Sequence, residues 1–317
     1  MIDVALPGTD GMMPLPGRWL SCLAVRSGGR GLLFDCGEGT QVALKTIGWG
    51  FRDIDALAIS HLHADHVSGL VGILLMLGNS GRTEPLRIYG PPGLSAVVAG
   101  QRMIARHLPY EAEVVELWPG ERFAVGDLRG TLALGEHGGT RCYAYRLDLA
   151  RRPRFDPDRA RALGLPVATW RVLQSGESVE HGGRTVSPED VLGPPRRGLS
   201  LVYATDTRPI DRIATLAHGV DLLVSEATFG DPADTARAVE TGHMTFAEAG
   251  ALARRAGARR LLLTHFSPAL VDPPAWREEA ASQFADVTVG RDGYQATLRF
   301  TEDDEKADPS AHTEGYR

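Results

Sequence analysis

The chain has 317 residues, 43% hydrophobic and 23% charged, with 37 glycines and 20 prolines. This is the composition of a globular protein with ample core, in one large domain or two small ones. The formal net charge of −6 argues against a chain that coats nucleic acid over its whole surface, while leaving room for a local basic patch. Cys22, Cys36 and Cys142 are far apart and odd in number, so they read as reduced, buried thiols of a cytosolic protein rather than a disulfide framework. The opening MIDVALPGTDG has no signal-peptide pattern. The longest apolar run, LVGILLML at 70–77, is too short to span a bilayer. A cytoplasmic location without membrane attachment is therefore expected.

The first 150 residues alternate β-type runs with glycine turns. Segments 22–27, 30–35, 56–60, 86–90 and 129–135 read as strands. Segments 40–48, 67–77 and 93–108 read as helices. Residues 150–197 are rich in Arg, Pro and Gly, show little periodicity, and read as an inserted arm or loop module. From Arg141 to Arg171, eight arginines stand against three aspartates, a local excess of five positive charges. That stretch reads either as a solvated loop or as a contact surface for a phosphate backbone. Regular structure resumes with strand 199–206, helix 207–218 and strand 221–227. In 241–257, Thr245 followed by Glu248 spells a capping box and Gly257 a helix stop. Strand 259–265, a helix near 273–284 and a final β run at 287–300 complete the fold, and the acidic 301–317 reads as a disordered tail.

The densest chemistry is SHLHADHVSGL at 60–70. His61 and His63 are two apart, so an extended backbone points them the same way. Asp65 and His66 follow where the chain turns into an apolar helix. One segment thus offers two pairs of ligands, which suits two metal ions better than one. His and carboxylate donors favour zinc, with manganese or iron as alternatives. Further candidates share one context: His137 follows a strand, while Asp206 and His265 end strands. In layered α/β folds such strand ends gather on one edge, where sites are built.

SHLHADH matches the HxHxDH pattern of the metallo-β-lactamase superfamily. LLFDCGEGTQ (32–41), EHGGTRCYAYRL (136–147), VLGPPRRG (191–198), ATDTRP (204–209), EATF (226–229) and LLLTHFSP (261–268) narrow the resemblance to the ribonuclease Z family, tRNA 3′-processing endoribonucleases. It runs from about residue 6 to residue 270. It implies a layered α/β fold, the αββα sandwich, spanning 1–300 with 150–197 as an inserted, flexible RNA-docking arm. It also implies a ligand set: His61, His63 and His137 on one zinc, Asp65, His66 and His265 on the second, and Asp206 bridging.

Two such ions about 3.5–4 Å apart would activate water and clamp a phosphate. The resemblance makes Asp65 the proton acceptor for that water. It places His243 near the leaving oxygen, oriented by Glu226, and a capped helix start beside His243 favours an anion there. The implied activity is removal of the 3′ trailer from precursor tRNA, leaving a 3′-hydroxyl, by a homodimer. Arg151, Arg152, Arg154, Arg159 and Arg161 are candidates for the RNA backbone. Some positions depart from the family pattern. Its HEAT is SEAT here, with Ser225; its HST is HMT (243–245); its Arg-Asn is Arg18-Trp19; and 164–177 lacks a Pro-Gly-Pro run. The alternative enzyme reading is a hydrolase of the same fold acting on a small molecule, such as a phosphodiesterase, lactonase or thioesterase. FDCGEGTQ and the arm argue against the last two. A non-catalytic RNA-binding subunit would typically have lost ligands, and all seven are present.

Overall fold

The computed structural model describes residues 1–301; the expected tail lies almost wholly outside that range. The chain divides into two units. One comprises Met1–Leu149 and Leu199–Arg299, and the other Ala150–Gly198 with the residues from Phe300.

The larger unit is built on two seven-stranded sheets. The first contains β1 (Ile2–Gly8), β2 (Cys22–Ser27), β3 (Arg30–Phe34), β4 (Ile54–Ala58), β5 (Leu86–Gly90), β6 (Ala112–Glu116) and β16 (Tyr294–Leu298), in the order β16-β1-β2-β3-β4-β5-β6. The second contains β7 (Arg122–Val125), β8 (Leu128–Leu134), β9 (Tyr143–Arg151), β12 (Arg196–Ala204), β13 (Leu222–Glu226), β14 (Leu261–Thr264) and β15 (Val287–Val289), in the order β15-β14-β13-β12-β9-β8-β7. Strands β3 to β6 are parallel, as are β12 to β15. Their connections run through α1 (Thr40–Thr46), α2 (Ala64–Val67), α3 (Leu70–Asn79) and α4 (Leu94–Arg102) on one side, and α7 (Asp211–Leu216), α8 (Thr235–Thr241), α9 (Phe246–Ala256) and α10 (Arg277–Ala281) on the other. Parallel pairing requires such crossovers, and it sends the carboxyl ends of neighbouring strands to one edge.

Each sheet is covered by its helices. Leu70, Ile73, Leu74 and Leu77, spaced for one face of α3, pack with Leu57 and Ile88. Phe246, Ala249, Leu252, Ala253 and Ala256 of α9 pack with Leu223 and Leu263. Between the sheets, the Phe34 ring lies 5.5 Å from Tyr145 and 5.3 Å from Tyr203. The buried phenols are satisfied: Tyr145 donates to the Ile59 carbonyl at 2.7 Å and Tyr203 to Asp35 at 3.0 Å. The result is the expected helix–sheet–sheet–helix layering.

Several boundaries differ from the sequence reading. The helix expected at 67–77 is two, α2 and α3, broken at Ser68–Gly69. Gly69 donates to the Cys36 carbonyl at 2.8 Å, and a Cβ there would sit 1.9 Å from the Gly37 carbonyl oxygen, so the chain must bend at a glycine. The run at 287–300 is not one strand. Val287–Val289 joins the second sheet and Tyr294–Leu298 the first. In between, the Gly290 amide bonds the Leu263 carbonyl and the Gly293 amide the Leu6 carbonyl, each at 2.8 Å. Strands β1, β6, β7 and β9 were not expected.

The smaller unit is also more regular than its composition suggested. It holds α5 (Pro157–Ala162), α6 (Val167–Gln174) and a hairpin of β10 (Val179–His181) with β11 (Arg184–Val186). Asp156 caps α5 by accepting from the Asp158 and Arg159 amides. Gly182 and Gly183, both at positive φ, make the two-residue turn. Ala160, Leu165, Leu173, Val186 and Val191 form a small core, against which Phe155 and Trp170 pack. Of the expected inserted arm or loop module, only the lack of regular structure is corrected. Its elements are too short for periodicity to show.

Candidate metal centre

All seven expected ligands meet at the carboxyl edge of the parallel strands. His61 lies just past β4, His137 past β8, Asp206 two residues past β12, and His265 directly after β14. His63 caps α2, while Asp65 and His66 lie within it. Two non-glycine residues in the set, Asp206 (φ 48°) and His265 (φ 57°), adopt left-handed backbone conformations, as does Asp35 (φ 58°) after β3. Such conformations cost energy and persist only where the surroundings impose them, and here they turn side chains off strand ends into one space.

Two groups of donors form. In the first, His61 Nε2 lies 2.9 Å from His63 Nδ1, and His137 Nε2 lies 3.2 Å from the same atom. In the second, His66 Nε2 and His265 Nε2 approach Asp65 Oδ2 at 3.4 and 3.6 Å. Asp206 faces both. Its Oδ2 is 3.7 Å from His61 and from His137, and its Oδ1 is 3.3 Å from His66 and 3.0 Å from His265. Donor atoms of each group fall within 4.8 Å of one another.

The fit to a cation can be tested on the imidazoles. His66 Nε2 and His265 Nε2 are buried and find no hydrogen-bond partner among the described residues, despite their proximity to Asp206. The separations allow attraction, but the orientation is wrong for an N–H···O bond. Buried nitrogens normally have partners. Lone pairs converging on one point beside carboxylates are the arrangement a divalent cation satisfies.

The other ring nitrogens are anchored, which fixes ring orientation. His66 Nδ1 is 2.9 Å from Asp35 Oδ2, and His61 Nδ1 is 3.0 Å from Ser60 Oγ, which itself donates to Asp35 at 2.8 Å. His137 Nδ1 faces the Gly242 carbonyl at 3.2 Å, and His265 Nδ1 the Thr228 hydroxyl at 3.3 Å. A Cβ at Gly11 would lie 2.5 Å from the His265 ring, so that close approach needs glycine. The next residue, Met12, donates its amide to Asp65 Oδ2 at 2.8 Å.

Electrostatics follow from this packing. Burial, reinforced by His66, pushes His61 well below the usual histidine range, and burial also lowers His137. Both are thus neutral and able to ligate. Burial opposes charge on His66, but Asp206 and Asp35 outweigh it and raise its pKa. A field that holds a proton there also favours a dication in its place. Burial opposes ionisation of Asp65, yet the His265 and His66 imidazoles hold its carboxyl well below the usual range.

His243 and Glu226 meet beside this cluster. His243 Nδ1 is 3.1 Å from Glu226 Oε1, and its ring stacks on His265 at 5.5 Å. Glu226 is fully buried and also accepts from the Thr207 amide, the Met244 amide and the Thr228 hydroxyl. Burial works against charge on His243, but Glu226, helped by Asp206 and Asp65, lifts its pKa to about 9. The capping box of α9 is present as expected. Arg208 grips this loop, donating to the His243 carbonyl and pairing with Glu248.

A profile of the β-lactamase superfamily domain matches residues 30–266. The chain is 42% identical to "Ribonuclease Z" of Lachnoclostridium phytofermentans over 301 residues, covering 95% of this chain and 99% of that one. With "Ribonuclease Z" of Agathobacter rectalis the identity is 43% over 303 residues, covering 96% and 100%. The chain belongs to the ribonuclease Z family. Among solved structures, human tRNase Z, short form, superposes with a TM-score of 0.64 at 25% identity, covering 94% of this chain and all of that one. The metallo-β-lactamase fold protein YhfI of Bacillus subtilis does so with a TM-score of 0.66 at 24% identity, covering 93% and 98%. Ribonuclease Z membership places the chain among metal-dependent hydrolases that act as nucleases, and the shared fold agrees with the layering.

Two of the departures from the ribonuclease Z pattern have a local setting in the structure. Ser225 is buried in β13, its hydroxyl donating to the Glu226 carbonyl at 3.0 Å. Arg18 pairs with the buried Asp10, and the Trp19 ring covers Gly39. The five arginines expected on RNA lie in the smaller unit, with Arg152, Arg154, Arg159 and Arg161 exposed. Arg159 pairs with Asp156 at 3.3 Å and Arg161 with Asp158 at 2.7 Å, while Arg151 lies over the Phe300 ring. Part of the positive excess is therefore matched locally. Asp35, Thr228 and Arg208 carry site geometry but were not singled out, although FDCGEGTQ, EATF and ATDTRP contain them.

Proposed function

We propose that this chain is a zinc-dependent endoribonuclease that removes the 3′ trailer from precursor tRNA and leaves a 3′-hydroxyl on the tRNA. The observation that carries the reading is the pair of buried, unpartnered imidazole nitrogens sharing the Asp206 carboxylate, beside the His243–Glu226 dyad. His61, His63 and His137 would hold one zinc, Asp65, His66 and His265 the other, and Asp206 both. Two divalent ions supply water activation and neutralisation of phosphate charge.

The chain's own groups do the rest. Asp65, ionised and held by the Met12 amide, accepts a proton from the attacking water. The water oxygen joins phosphorus as the bond to the tRNA 3′-oxygen breaks. His243, an imidazolium at neutral pH, gives that leaving oxygen its proton. Glu226 orients His243 and stabilises its charge. The smaller unit, residues 150–197, docks RNA through Arg151, Arg152, Arg154, Arg159 and Arg161. The same reading makes the protein a cytoplasmic homodimer, a state that light scattering reads directly.

One experiment tests the whole. Purified, metal-analysed protein is incubated with 3′-extended tRNA, cyclic nucleotides and lactones, and RNA ends are mapped. Two zinc ions per chain and a new 3′-hydroxyl after the discriminator base are expected. Turnover of a cyclic nucleotide or lactone without RNA cleavage would favour the small-molecule alternative. Deleting 151–190 should abolish precursor cleavage while sparing a bis-aryl phosphate.

A further inference from the structure

We infer that Trp118, backed by Arg141, is a stacking platform for a nucleobase flanking the scissile bond. The inference rests on the proposed RNA substrate. Trp118 is 52% exposed, unusual for the largest aromatic side chain. One face of its indole is covered by the Arg141 guanidinium, whose carbon lies 4.7 Å from the ring centroid. Arg141 is itself exposed and forms no ion pair among the described residues. Its positive charge is therefore available to a phosphate, and the indole keeps surface open to a base.

Position ties the pair to the metal centre. Trp118 begins a turn closed on itself: its amide bonds Glu121 Oε2 at 2.7 Å, and the Glu121 amide returns to its carbonyl at 3.0 Å. The preceding residue, Leu117, donates to the Gly90 carbonyl at 2.7 Å and accepts from the Tyr143 hydroxyl at 2.7 Å. Tyr143 in turn donates its amide to the Ser60 carbonyl at 2.9 Å, next to His61. One tyrosine side chain therefore spans the gap between the Trp118 turn and the first metal-site histidine. Arg141 is as near. It belongs to the loop that carries His137, and its neighbour Thr140 has its hydroxyl 3.2 Å from His63 Nε2. The platform thus sits on a turn and a loop that are hydrogen-bonded to the chain beside His61 and to His63. Stacking on an aromatic face is tolerant of base identity, which suits an enzyme that must accept varied sequence at its cut.

The test uses the full-length, metal-loaded protein and a 3′-extended tRNA with single abasic nucleotides placed in turn on each side of the cut. With wild type, one abasic position should raise KM about 10-fold, the order expected for loss of one stacked base. With Trp118→Ala, the intact substrate should show about the same rise, and that abasic position should then change KM by less than about 2-fold. Trp118→Phe should keep most of the discrimination. Metal content and melting temperature, equal to wild type, establish that Trp118→Ala is folded. Equal sensitivity of wild type and Trp118→Ala at every abasic position overturns the platform, as does a wild type indifferent to all of them. A wild type that cuts no RNA removes the proposed function and the platform with it, a result distinct from RNA cleavage without base dependence.

Discussion

At the residue scale, the second layer around the metal centre decides how well the first can work. Asp35 accepts from the Ser60 amide, the Ser60 hydroxyl, the Tyr203 hydroxyl and His66 Nδ1. Asp35→Asn keeps the shape but removes the charge opposite His66. Metal affinity should fall about 10–100-fold, read by competition with a chromogenic chelator. Proton traffic gives a second expectation. Asp206 and Asp35 outweigh burial and raise the pKa of His66 in the metal-free protein, and a ligand nitrogen must give up any proton it holds. Apparent metal affinity should therefore rise with pH across the neutral range and fall on acidification, and binding should release protons measurable by calorimetry in buffers of different ionisation enthalpy. In the same metal-free protein, the folded pKa of His243, about 9, lies above its unfolded value. Its contribution to stability is complete below the ordinary histidine range and is lost as pH rises through about 9. Glu226→Gln should bring that titration down, as followed by NMR of the His243 ring. The seven candidate ligands, which the structure brings together, could be picked out because HxHxDH is dense and the rest sit at strand ends. Asp35 could not, since its role depends on a left-handed backbone and on partners as distant as Tyr203.

At the element scale, strong local signals held and weak ones failed for identifiable reasons. The α9 boundaries could be read from Thr245, Glu248 and Gly257, each of which acts in the structure as its residue type suggests. Thr245→Ala should destabilise the protein by about 1 kcal/mol, measured by denaturant unfolding, because the Thr245 side chain satisfies the Glu248 amide. Strand β9 was missed although Tyr143, Tyr145, Leu147 and Leu149 alternate and are all buried; the segment was weighed for charge, as part of the arginine-rich stretch from Arg141 to Arg171, and not for its period. The break between α2 and α3 could not be seen in 67–77, because it comes from a glycine pressed against a distant loop. In the smaller unit, helices of six and eight residues with flanking prolines left no periodic trace.

At the scale of the whole molecule, the candidate metal site draws its ligands from loops after β4, β8, β12 and β14, which belong to both sheets. Metal that binds only the folded chain therefore ties the two sheets together. Removing it with a chelator should lower the melting temperature, and zinc at about 1,000 times its Kd should restore about 4 kcal/mol. The layering was legible from strand runs separated by helices, but the allocation of strands to sheets was not, since the single run at 287–300 serves both. The pairing of β1 with β16, Ile2 opposite Leu298, has one more consequence. These partners lie nearly the whole described length apart along the polypeptide, yet they are immediate neighbours in space. Over the described residues the backbone thus nearly closes on itself. A short peptide bridge from residue 300 to residue 1, with a new opening cut in an exposed turn such as Gly182–Gly183, would give a rearranged gene whose product can rebuild the same sheets.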